Sequence, residues 1–223
     1  MLRAIFIKEF FKIRWLWLTL MLINGLLMTY VYIVTRQLFI LDHAEIVWYR
    51  VIHLGQIHYA GMKYAFMLTG LLVACIQYLP EMVGERLRLS LHLPVSPHRL
   101  IMAHVSVGMV ALGLVVALDL GALALITRDY FPAEAVVNTL LTALPWGFAG
   151  LAAYLGATLG ILEPCYRLKL FNLCMTAGVI GFFLYPVEQA GYHYALRFLW
   201  VPILLMIPAV LLPAYRFRFR RVT

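Results

Sequence analysis

Glu81, Glu85, Arg88 and His92 fall at i, i+4, i+7 and i+11 within Pro80–Leu100, PEMVGERLRLSLHLPVSPHRL, the most polar stretch between two long apolar runs. As a helix, this spacing gathers both signs of charge into one narrow stripe and sets Val83, Leu87 and Leu91 on the other side. Such a stripe suits ionic docking of a soluble partner, while the apolar side rests on a membrane surface or on the ends of neighbouring helices. From Arg86 to Leu93 polar and apolar residues also alternate strictly, which is a strand pattern. Helix is the expectation, because a lone strand at a membrane surface leaves its backbone unpaired. A solvated surface helix with no partner accounts for the same charges.

Other residues with chemical potential are few. Asp119, between Leu118 and Leu120, is the acidic side chain well inside an apolar run, placed in the outer half of the third. An intramembrane carboxylate is a candidate pathway lining or proton site; the competing readings are a hydrated position near the interface or a pair with Arg128 or Arg197. His104 is expected to hydrogen-bond within a helix bundle. His43, His53 and His58 match no common metal spacing, so no metal is expected. Cys75, Cys165 and Cys174 form no CxxC pair and support neither a disulfide framework nor a metal site. No lysine follows a glycine, which excludes a phosphate-binding Gly-x-x-x-x-Gly-Lys loop, and zinc-protease and nucleophile-elbow motifs are absent.

The elements that position these residues are set by composition. Of 223 residues, 64% are hydrophobic and only 13% charged, far from the roughly even apolar share and one-quarter charge of soluble domains. The expected fold is an all-α integral membrane protein in a single transmembrane domain, residues 1–223, with no soluble catalytic domain. Six runs of about 20 residues span as helices at 15–34, 64–79, 100–126, 135–162, 170–185 and 198–214. Pro80 and Pro186 are expected to stop the second and fifth, and Pro202 and Pro208 to kink or thin the sixth. An interfacial helix, 1–14, precedes the first span, with Lys8, Glu9 and Lys12 on one side and Phe6, Phe10 and Ile13 on another. It reads as retained and not as a cleaved signal peptide. The connection 36–63 has room for a short interfacial helix.

Net charge is +8, and 13 of the 18 Lys and Arg lie in the N-terminus, the second and fourth connections and the C-terminus. This imbalance places both termini and the central polar segment in the cytoplasm, in a multi-pass cytoplasmic-membrane protein. The basic, aromatic tail from Tyr215 to Arg221 reads as an anchor on anionic lipid, so no nucleic-acid partner is expected. Small residues recur at four-residue spacing as Gly113, Ala117 and Gly121 in the third span and as Ala152, Gly156 and Gly160 in the fourth. The plain expectation is that these two neighbours pack on each other; a contact with another subunit is the alternative.

The stretch PEMVGERLRLSLHLPVSPHRLIMAH resembles the connection between the second and third spans of permease subunits of type-2 ATP-binding-cassette (ABC) transporters. There a charged coupling helix is followed by a turn like Leu93, Pro94, Val95 and Ser96. The family often has Gly-Thr where Gly84 here precedes Glu85 and Arg86, so the substrate class stays open. The resemblance implies a permease, expected to be an exporter, that pairs with a second permease subunit. It also implies docking through Glu81, Glu85, Arg86, Arg88 and His92 onto a cytosolic ATPase. ATP and Mg would be held by that ATPase, and this chain would bind no cofactor and be no enzyme itself. A lipid-acting membrane enzyme using Asp119 and the outer histidines, and a non-transporting membrane partner protein, are the competing readings.

Overall fold

The computed structural model describes residues 2–83, 96–185 and 189–219. Among them the chain is entirely helical apart from its turns. Helix α1 is Leu2–Leu41. It is followed by a short helix α2, Ala44–Trp48, which runs into a π-helical turn, Tyr49–His53. A 3-10 turn, Ala60–Tyr64, leads into α3, Ala65–Val83. Helices α4, Pro97–Tyr130, α5, Ala133–Leu162, and α6, Tyr166–Leu184, complete the long elements. The last apolar run is two pieces, α7, Trp200–Ala209, and α8, Leu211–Phe219. Six helical segments are long and apolar enough to cross a bilayer. A segment surrounded by hydrocarbon must satisfy its backbone internally, which is why each run closes as a helix.

The boundaries differ from expectation where tertiary partners intervene. Residues 1–14 are not a separate interfacial element, because α1 continues unbroken from Leu2 to Leu41. No proline interrupts it, and the polar side of its first turns finds partners inside the bundle, so the helix has no reason to turn. Pro80 does not end α3, which continues to Val83. A proline forfeits one backbone bond without having to end the helix, and Glu81, immediately after it, is held by ion pairs to α1. The sixth run does break, at Val210 between Pro208 and Pro213. Tyr185 closes α6 in an extended conformation, ψ 132°, as a residue before proline prefers.

Helix α5 is the centre of the bundle, packed against α3, α4, α6 and α7. Lipid tails are as apolar as leucine, so helices associate through close packing and not through escape from water. Between α3 and α5 the glycines let backbone meet backbone. A Cβ at Gly70 would overlap the Gly150 carbonyl oxygen, and one at Gly150 would lie 2.7 Å from the Phe66 carbonyl oxygen.

The two expected stripes of small residues do not face each other. Gly156 and Gly160 pack on Thr176 and Leu173 of α6, and Ala152 is fully buried. Gly113 and Gly121 have open space where a Cβ would stand, and Ala117 is exposed. The rotation of α4 explains this: its buried face carries Gly108, Leu112, Val115, Asp119 and Leu123 instead.

Candidate functional site

The start of α1, the end of α3 and the start of α4 meet at one end of the bundle around a cluster of charges. Glu9 is completely buried. Its Oε1 accepts a hydrogen bond from Lys12 Nζ at 2.9 Å, and its Oε2 accepts one from Gln77 Nε2 at 3.2 Å. Glu81 is 3% exposed, and its Oε1 accepts from both Lys8 and Lys12 at 3.1 Å. Helix periodicity puts Lys8 and Lys12 one turn apart, so both ammonium groups reach the same carboxylate.

Gln77 joins the charges to the core. Its Nε2 also donates to the His104 carbonyl at 2.7 Å, and its Oε1 accepts from the Tyr154 hydroxyl at 2.8 Å. A fully used amide of this kind fixes α1, α3, α4 and α5 in one arrangement. Gly108 makes the room, since a Cβ there would overlap both the Tyr154 hydroxyl and the Gln77 side chain. His104 Nδ1 lies 2.8 Å from the Leu100 carbonyl, and Nε2 lies 3.4 Å from Glu9 Oε1. Nδ1 thus has a backbone partner on its own helix, while the buried Nε2 makes no hydrogen bond.

Of the residues singled out in the sequence, Glu81 is thus turned inward and paired within the chain, because two lysines of α1 offer it partners. Glu85, Arg86, Arg88 and His92 lie outside the described residues, which resume at Ser96. Pro97 occupies the first turn of α4, where its missing N–H costs nothing. Asp119 is buried, at 7% exposure. Among the described residues no ion pair joins it to Arg128 or Arg197.

The inward roles of Glu9, Gln77, Gly108 and Tyr154 were not foreseen. A polar residue in each of three neighbouring spans near the same end was the available signal. Gly70 and Ala74 carry the four-residue small spacing in the second span as well.

At the opposite end, the connection after α1 folds back over the bundle. Trp48 Nε1 donates to the Tyr130 carbonyl at 3.0 Å, Arg50 pairs with Asp42 at 2.6 Å, and Val47 and Val51 pack on Phe131 and Ala135. The connection's histidines do not assemble a metal site: among the described residues no three potential ligands come together. The His58 ring stacks on Phe131 with centroids 5.3 Å apart, and neither of its buried ring nitrogens has a hydrogen-bond partner.

Burial pushes the His58 pKa down from 6.5 to about 4. Below pH 6.5 the unfolded chain therefore binds a proton that the folded chain rejects, and stability falls as pH drops from 6.5 towards 4. The expected loss from this residue is about 2 kcal/mol at pH 5. Thermal unfolding at pH 7.5 and pH 5 should show a smaller acid shift for His58→Phe, which keeps the stack, than for the unaltered protein. Equal shifts would remove His58 from the account.

No known protein-family model matches this chain, and no curated protein or solved structure does either.

Proposed function

We propose that the chain is the membrane-spanning permease subunit of an ABC transporter, working as an exporter across the cytoplasmic membrane. ATP, with Mg, would be bound and hydrolysed by a separate cytosolic ATPase subunit. The observation that carries the reading is the charged segment ending in Leu93, Pro94, Val95 and Ser96, which joins the second and third of six apolar helices. The clamp beside it adds physical support. Glu81 stands three residues before Gly84 and is tied to α1 by Lys8 and Lys12. Gln77, one turn earlier on α3, is tied to α1, α4 and α5. A push on the segment therefore reaches four spans without first taking up slack.

In this reading Glu85, Arg86, Arg88 and His92 form the docking stripe, and Glu81 is the anchor that transmits the load. A second permease, identical or homologous, would complete the pathway. The open stripe of Gly113, Ala117 and Gly121 on α4 suits close approach of another helix, and Asp119 is the candidate polar lining of the route.

Charge reversal tests this. A Glu85→Arg and Arg88→Glu chain, expressed with the ATPase it associates with, should retain less than about one-tenth of that ATPase on purification while still eluting as a folded membrane protein. A loss of ten-fold corresponds to about 1.4 kcal/mol, well within what opposed charges at a contact produce. Labelling of residues 81–92 from outside the cell, or purification of the native complex without any nucleotide-hydrolysing companion, would overturn the proposal.

A further inference from the structure

On the flank of the bundle, near the end that holds Glu9 and Glu81, α1 and α4 border a cleft of about 540 Å³. Phe6, Phe10, Trp17, Val110 and Leu114 line it, and Arg14 is the charged side chain of the lining. The walls are firm, because Trp17 Nε1 donates to the Ala111 carbonyl at 2.8 Å and so pins the indole across the two helices.

Arg14 is in an unusual position for a guanidinium. Its Cζ lies 4.6 Å from the Phe11 ring centroid and 5.3 Å from that of Trp15. Its Nε is buried and has no hydrogen-bond partner. Aromatic faces steady the cation but leave its in-plane N–H donors unused. The group cannot shed its charge, since arginine stays protonated, and a buried donor without an acceptor costs about 1–3 kcal/mol. Lys8 and Lys12, the neighbouring cations, are already bound to Glu9 and Glu81.

Depth identifies what fits. The uncharged apolar stretch of α1 begins at Trp15, immediately after Lys8, Glu9, Lys12 and Arg14, so Arg14 marks the boundary between headgroups and hydrocarbon. An occupant must therefore bring an oxyanion to Arg14 and an alkyl chain to the cleft.

We infer that the cleft between α1 and α4 binds one anionic glycerophospholipid, its phosphate on the Arg14 guanidinium and an acyl chain along Phe10, Trp17, Val110 and Leu114. Guanidinium and phosphate match as a two-pronged hydrogen-bonded pair, and the apolar walls supply contact for the chain. A second copy of this chain fits less well, because it would have to bring a carboxylate to Arg14. Among the described residues, the carboxylates at this end, Glu9, Glu81 and Glu163, are buried and engaged. Asp119 is buried deeper in α4, and Asp42, Glu45, Asp129 and Glu134 belong to the opposite end.

The test is native mass spectrometry of the purified, delipidated protein titrated with phosphatidylglycerol or phosphatidylcholine. One phosphatidylglycerol should bind the unaltered chain in preference to phosphatidylcholine. Arg14→Gln should weaken that binding about ten-fold or more. Val110→Trp, a change at an exposed position that fills the cleft, should do the same with Arg14 in place. Equal retention of the two lipids, or unchanged phosphatidylglycerol binding in either variant, would overturn the inference. So would efficient disulfide cross-linking between copies carrying Phe10→Cys and Val110→Cys, which would show a second chain in the cleft.

Discussion

Glu9→Ala is expected to lower the thermal unfolding midpoint by on the order of 10 °C and to loosen α1 from α3 and α4. Glu9 is wholly buried and holds Lys12 and Gln77 by hydrogen bonds, with His104 Nε2 at 3.4 Å. Deleting one side of a buried ionic cluster leaves the other side desolvated without compensation, at a cost of about 3–5 kcal/mol. For a chain of this length each kcal/mol shifts the midpoint by about 2–4 °C. Lys12 keeps Glu81 as a partner, so the damage should concentrate on Gln77 and His104. Glu9→Gln preserves the shape and one acceptor and should fall between the two. Lys8→Ala should cost least, because the lysine side chain is 52% exposed and exposed pairs contribute about 1 kcal/mol or less. Scanning fluorimetry of the three variants in one detergent reads the order directly. If Lys8→Ala matched Glu9→Ala, the buried carboxylate would not be the hub of the cluster.

How far the sequence foretold this arrangement depends on the range of the physics involved. The six spans were legible, because hydrocarbon imposes a local rule that each apolar run satisfies alone. Pro202 and Pro208 were expected to kink or thin the last run, and it breaks at Val210, just after Pro208. Lys8, Glu9 and Lys12 were read only as one side of a separate interfacial helix, since periodicity sorts residues onto faces and cannot say which face turns inward. Their orientation is decided by Glu81 and His104, which are distant in the chain. The expectation that the two small-residue stripes pack on each other failed in the same way. The four-residue spacing in α4 was real, yet its helix is rotated so that Gly113 and Gly121 meet nothing within the chain. Gly108, which admits the Tyr154 hydroxyl, belongs to neither stripe and is explained only by what stands opposite it.

Gly70→Ala should cost about 3 kcal/mol or more, and Gly70→Val should prevent recovery of a monodisperse folded chain. The added Cβ would overlap the Gly150 carbonyl oxygen, with Leu112 Cδ2 only 3.3 Å away. The obstacle is backbone, so no rotamer change relieves it and α3 must move away from α5. Overpacking in a close-packed interior costs about 1–3 kcal/mol and sometimes more. Between membrane helices the lost contacts are also the main source of association. Gly150→Ala meets the Phe66 carbonyl oxygen at 2.7 Å and should behave alike. Gly113→Ala and Gly121→Ala are the controls: with open space at both positions, each should leave the midpoint unchanged or raise it slightly. Size-exclusion profiles and unfolding midpoints separate the two groups. A normal midpoint for Gly70→Ala would mean that α3 and α5 do not approach as closely as their glycines allow. The controls reach further when the oligomer is weighed. If two copies of the chain meet along Gly113, Ala117 and Gly121, larger residues there should reduce the dimer fraction while the folded chain keeps its own stability, a separation that internal packing cannot produce.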